Sequence, residues 1–129
     1  MKLCAGQCKY LLTVFDLTKT HKNVRSVDIA NKLSVTRSSV SRMLKCMSRL
    51  ELINSDYSVS VKLTESGYQL ANKLYTSFDL IYQFFSNILK LSEDEAYEQS
   101  LLFIASFPEG TVDKLSQITK NTLNKRIQK

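Results

Sequence analysis

The segment SVDIANKLSVTRSSVSRMLKCMSRL, from Ser26 to Leu50, leaves few choices for how this chain can fold. It reads as two short helices joined by a tight turn, the second with a hydroxyl-rich, basic outer face. That is a helix-turn-helix, the arrangement that places one helix in a DNA major groove. Ser26 is a suitable N-cap for the first helix, and Asp28 falls in the first turn, where the helix dipole favours negative charge. Val27, Ile29, Ala30 and Leu33 supply its apolar surface, and Ser34 and Val35 make the turn.

Thr36 is the natural N-cap of the second helix, because its hydroxyl can accept from one of the first unpaired amides. Val40, Met43, Leu44, Met47 and Leu50 recur every three or four residues, so they share one face and pack inward. Ser38, Ser41, Arg42, Lys45 and Arg49 lie opposite, on a surface without a carboxylate. A merely solvated helix mixes both signs at pairing distance, and this one does not. The candidate DNA-contacting set is Thr36 at the helix start, Arg37 and Arg42 for bases or phosphates, Ser38, Ser39 and Ser41 for close approach, and Lys45 and Lys62 for phosphates.

The charge distribution agrees with that set. The chain of 129 residues has a net charge of +6, but residues 1–74 hold 12 Lys and Arg against 5 Asp and Glu, and residues 75–129 hold 6 against 7. The front therefore carries +7 and the back −1. All the excess positive charge accompanies the helix-turn-helix, as an electrostatic footprint for a polyanion requires.

The opening residues lead into no secretory apolar run, and no stretch approaches the roughly 20 apolar residues of a membrane span. The chain reads as cytosolic, with no membrane partner. Three cysteines are too few and too odd in number for a disulfide framework in a reducing compartment. Cys4 and Cys8, spaced i and i+4, are either small apolar residues or a thiol sensor or half a metal site; no Cys-x-x-Cys or neighbouring His supports the second choice. His21 falls in the polar loop THKNV with no evident chemical partner.

Around this motif the pattern predicts a first helix over about 5–18, with Tyr10, Leu11, Val14, Phe15 and Leu17 as its apolar stripe. After Leu50 the pattern alternates. Leu52 and Ile53, then Val59, Val61 and Leu63, flank the polar NSDYS and predict a two-stranded hairpin, or wing, with Tyr57, Ser58, Ser60 and Lys62 as candidate backbone contacts. Thr64 caps a long helix running to about Leu91, weakened only by Gly67. Its second half, FDLIYQFFSNILKL, is apolar on nearly every side and must be covered on every side, in part by a second copy of the chain. Ser92 caps another helix ending at Phe107, with Pro108, Glu109 and Gly110 as the break, and Thr111 caps a last helix that frays into the basic end 125–129. The fold class is mainly α (α+β): a winged helix-turn-helix domain over 1–74 and a helical dimerisation domain over 75–129.

This order resembles the diphtheria toxin repressor and manganese transport regulator family of metal-dependent repressors. The matching pieces are RSVDIANKLSVTRSSVSRMLKCMSRLELI for the DNA-reading unit, VKLTESGYQLANKLY for the exit from the wing, and QFFSNILKLSEDEAYE for the end of the long helix and the start of the next. The resemblance implies a winged-helix homodimer that binds a pseudo-palindromic operator and represses metal-uptake genes. At the positions where it would place the metal ligands, however, stand Lys9, Leu12, Phe78, Leu101, Ile104 and Ala105, none of them a ligand for a divalent ion. Fold and DNA binding carry over; metal sensing does not, and no cofactor is expected.

The chain is thus expected to be a homodimeric, sequence-specific regulator of transcription that binds double-stranded DNA. The alternative is a winged helix used as a protein-interaction module, its basic face meeting an acidic protein partner. An enzyme lacks its parts: there is no Gly-rich phosphate loop, no Ser/His/Asp or Cys/His set and no metal cluster.

Overall fold

The computed structural model describes residues 2–128, so Lys129 of the basic end lies outside the described residues. The chain divides into two compact units. One is Gly6–Lys73; the other joins the residues up to Ala5 to those from Leu74 onward.

The first unit holds α1 (Ala5–Leu17, most of its length), α2 (Ser26–Leu33) and α3 (Arg37–Arg49). Leu11, Val14, Ile29, Val40, Leu44, Met47, Leu52 and Val61 are its largest fully enclosed apolar side chains. The predicted stripe of α1 is buried as expected, and an exposed ion pair between Lys32 and Asp16, 3.2 Å, joins α2 to α1. One detail of α2, its N-cap, differs from the expectation, while the turn falls at Ser34 and Val35 as expected. Its N-cap is Arg25, in extended conformation, with Ser26 already helical, because the Asp28 carboxylate turns back to accept from the Arg25 amide at 2.8 Å. Ser34 ends the helix in the left-handed region, φ 54°, and the Val35 amide reaches the Ala30 carbonyl, which makes the turn.

After α3 the chain turns sharply. The Glu51 amide donates to Ser48 O and the Leu52 amide to Met47 O, a Schellman ending with Glu51 at φ 60° and Leu52 driven into the core. The wing is not the predicted two-stranded hairpin. Among the described residues it has only isolated bridges, Ile53 to Leu63 and Val24 to Val61, so the chain before α2 also pairs with it. Val61 is buried, but Val59 is 73% exposed and shares no inward face with it. The Asn54 side chain takes the place of a ladder. Its Nδ2 donates to Ser60 O at 2.8 Å and to Asp56 Oδ1 at 2.9 Å, while its Oδ1 accepts from the Lys62 amide at 3.0 Å. A side chain that satisfies the Ser60 carbonyl and the Lys62 amide takes up backbone groups that a continuous ladder would otherwise pair.

Helix α4 (Glu65–Gln83) starts in the first unit and ends in the second. Thr64 caps it as expected, its hydroxyl accepting from the Gly67 amide at 3.0 Å and donating to Glu51 O at 2.6 Å. The predicted run to Leu91 does not stay α-helical. Phe84–Ile88 widens into a π turn, with the Leu89 amide reaching Phe84 O, and Lys90 at φ 62° ends it.

The second unit packs Ile81, Ile104 and Val112 together, with Leu74, Phe78, Phe85, Phe103 and Leu115 around them. Helix α5 (Glu93–Ser106) begins at Ser92, whose hydroxyl accepts from the Glu95 amide at 3.2 Å, as expected. Its far end is closed from a distance in sequence: Lys2 Nζ donates to Ile104 O at 2.9 Å and to Phe107 O at 2.8 Å. A lysine at a helix C-terminus meets both unpaired carbonyls and the negative end of the dipole, which accounts for the first residues belonging to this unit. Helix α6 (Glu109–Gln128) starts two residues before the expected Thr111 cap. The Pro108 carbonyl accepts from the Thr111 and Val112 amides, so Glu109 and Gly110 form the first turn rather than a break, and the helix does not fray before Gln128.

Candidate nucleic-acid interface

The interface is built on α3. Thr36 caps it from extended conformation, its hydroxyl accepting from the Ser39 amide at 3.1 Å and donating to Ser39 Oγ at 2.9 Å. Arg42 Nη2 in turn donates to Ser39 Oγ at 3.4 Å. The cap, the half-buried Ser39 and the exposed Arg42 are therefore one hydrogen-bonded row along the first turns of the helix. Ser39 is spent on positioning its neighbours, while Ser38 and Ser41 remain on the outer surface.

Val40, Leu44 and Met47 are buried and hold the opposite face, with Met43 and Leu50 half-buried beside them. At about 100° per residue, Ser38, Ser41, Arg42, Lys45 and Arg49 fall within one arc of about 100°. All five are exposed, as are Thr36 and Arg37, and no residue of α3 is acidic. An exposed helix face with this composition matches the chemistry of a groove edged by phosphates and floored by acceptors.

In the same unit, Lys62 is exposed on the wing with its amide fixed by Asn54. Ser58 is exposed and Tyr57 half-buried. Ser60 is withdrawn as a backbone contact, because its Oγ is buried and meets no partner among the described residues. Asn54 is the residue that the sequence does not single out. No spacing distinguishes it from the other polar residues of the loop, and its role depends on the two acceptors and the amide that the fold brings around it.

The positions that the resemblance assigns to metal ligands do not fit a divalent cation. Leu12, Leu101 and Ile104 are buried hydrocarbon, Phe78 and Ala105 are half-buried and carry no donor atom, and Lys9 brings a positive charge. Among the described residues, no group of three or more His, Cys, Asp or Glu side chains is placed to hold a metal. Cys4 is exposed ahead of α1 and Cys8 is buried within it, and none of the three cysteines is in a disulfide. No described helix is long and apolar enough to cross a membrane.

Comparison with known proteins agrees with this geometry. Residues 2–57 match the family model described as iron dependent repressor, N-terminal DNA binding domain. An uncharacterized HTH-type transcriptional regulator of Methanocaldococcus jannaschii is 26% identical over 99 residues, covering 77% of this chain and 79% of the relative. Among solved structures, the manganese regulator SloR superposes with a TM-score of 0.77 at 27% identity over 88% of this chain. The chain spans about half, 53%, of that regulator's length. A hypothetical protein from Sulfolobus solfataricus, of which 88% is covered, superposes with a TM-score of 0.64 at 25% identity over 90% of this chain. The resemblance to the metal-dependent repressors holds in both sequence and fold, and residues 2–57 are similar to the N-terminal DNA-binding domain of the iron-dependent repressors.

Proposed function

We propose that the chain is a cytoplasmic, homodimeric repressor that reads a pseudo-palindromic operator with α3 of each protomer and does so without a divalent metal. The observation that carries the DNA reading is the exposed face of α3, hydroxyl-rich, basic and free of carboxylates, inside a segment matching a DNA-binding domain. In this reading Arg37 and Arg42 contact bases or phosphates, Ser38 and Ser41 allow close approach, Lys45 and Lys62 bind phosphates, and Thr36 and Ser39 set the start of the helix. Two copies place their helices about 34 Å apart, one turn of the duplex. The dimer draws support from a second unit that leaves Leu89, Leu102, Phe107 and Ile118 exposed.

The test is a mobility-shift titration at several salt concentrations on genomic fragments selected by the purified protein, with and without manganese, iron and zinc. Phosphate contacts predict a steep fall of affinity with salt and no metal requirement. Binding that appears only with metal overturns the metal-independent part. Absence of DNA affinity at low salt overturns the whole and leaves the protein-interaction module.

A further inference from the structure

The second unit carries a cleft that the DNA reading does not use. It lies between α4 and the start of α5, has a volume of about 380 Å³, and is lined by the rings of Tyr75, Phe78, Tyr82 and Tyr97 and by the carboxylates of Asp79, Glu93 and Asp94. Three of the rings, Phe78, Tyr82 and Tyr97, form a continuous wall. Phe78 stacks on Tyr82 with centroids 6.0 Å apart and meets Tyr97 edge to face at 5.5 Å. Tyr75 is 40% exposed and the other three are half-buried, so the wall is not closed off in the core.

An aromatic wall alone would suit any apolar molecule. Three carboxylates on the same cleft exclude anions and favour a cationic guest over a neutral one. Asp79 accepts from Gln83 Nε2 at 3.0 Å, while Glu93 and Asp94 are exposed and meet no cationic side chain among the described residues. The first turn of a helix accounts for two acidic residues by their favourable place at the dipole, but not for four rings gathered against them. Nor are these carboxylates placed to hold a metal ion, since no group of three qualifies among the described residues. Faces of electron-rich rings beside fixed negative charge are the environment that binds a weakly hydrated organic cation, through its attraction to the ring quadrupoles. The volume is within the usual range for a small-molecule site.

We propose that this cleft binds a small alkylated ammonium ion. The rings of Phe78, Tyr82 and Tyr97 receive the alkyl groups, and Asp94 and Glu93 supply the opposing charge. The site stands independently of the DNA reading, and nothing in it requires a second copy of the chain.

The experiment uses the full chain and choline chloride as the probe. Binding is followed by the transfer of saturation from protein to the choline methyl signal and by calorimetry, with sodium chloride keeping ionic strength constant. The neutral isostere 3,3-dimethyl-1-butanol and the zwitterion glycine betaine serve as comparisons. Saturable choline binding is expected, with both comparisons at least about tenfold weaker, because one lacks the charge and the other brings a carboxylate against three. Asp94→Asn and Tyr82→Leu should each weaken choline binding severalfold. Asp94 is an exposed surface residue in the first turn of α5, so its variant tests the site with the fold kept and stability lowered only by the loss of one charge at the helix dipole. No saturation by about 20 mM choline, equal affinity for the neutral isostere, or displacement of choline by stoichiometric manganese each overturns the proposal. The first leaves no site, the second an apolar groove, and the third a metal centre.

Discussion

Gly67, in the first turn of α4, lies against the backbone carbonyl of Leu52, so close that a Cβ on residue 67 would fall far inside contact distance of that oxygen. The glycine is there for the approach of two backbones, the start of α4 and the chain leaving α3. Its dihedrals are not left-handed, so conformational freedom is not the reason.

Gly67→Ala therefore reverses a familiar sign. In an open helix this change gains up to about 1 kcal/mol from helix propensity. Here the methyl group must push against a carbonyl that also accepts from the Thr64 amide, and a loss of about 1–3 kcal/mol is expected from the overpacking. Urea denaturation of the full chain measures it; a variant as stable as the parent would contradict the close approach.

Thr36→Ala should cost about 0.5–2 kcal/mol, the usual value of an N-cap. Thr36→Ser should restore most of it, since the oxygen that accepts from the Ser39 amide is kept. Because the same hydroxyl donates to Ser39 Oγ, the alanine variant should also loosen Arg42 and weaken DNA binding more than its stability loss implies. Paired denaturation and mobility-shift measurements separate the two effects.

Arg42→Ala should weaken operator binding by about 1–3 kcal/mol if the guanidinium reads a base, with relaxed preference at one position of each half-site. If it holds a phosphate, the loss should be uniform across sequences and the salt dependence shallower by about one counterion. In both cases stability should change little, because the side chain is exposed. Operator affinity equal to that of the parent would remove Arg42 from the interface.

Asn54→Asp keeps the oxygen that accepts from the Lys62 amide but loses both Nδ2 donations and sets a carboxylate against Asp56. The wing should open at a cost of about 0.5–1.5 kcal/mol per lost bond. Amide exchange over residues 55–60 should rise while the protection of α3 is unchanged. Uniform loss of protection would show instead that the wing is part of the core.

The helix-turn-helix is legible in the sequence because its determinants are local. Thr36 caps the residue three places on, Ser34 tolerates the left-handed turn, and the buried and exposed sides of α3 follow from spacing alone. Ser26 loses the cap of α2 to Arg25 because an acid three residues on can turn back to the amide of whichever residue precedes the helix. The wing departs from the expected hairpin because alternating valines predict strands only when backbones pair, and here the Asn54 side chain takes the Ser60 carbonyl and the Lys62 amide instead, with Val59 left outside. The π turn at Phe84–Ile88 leaves the apolar pattern almost unchanged, so sequence periodicity does not show it. Lys2 at the end of α5 and Val24 beside Val61 are long-range pairings with no local signature. The cleft at Tyr97 is hidden for the opposite reason: in sequence its rings read as core and its acids as partners of a helix dipole, and only their common location joins them.

One amide side chain buckles both ends of the wing, and this bears on variation more than on stability. Of the residues it encloses, Ser55 through Val59, all but the half-buried Tyr57 are exposed. Apart from Asp56, which the same amide holds, that tip can be rewritten or recharged while the interior stays constant, so if the wing lies along DNA a scaffold of this design can change its targets at the margin without renegotiating its centre.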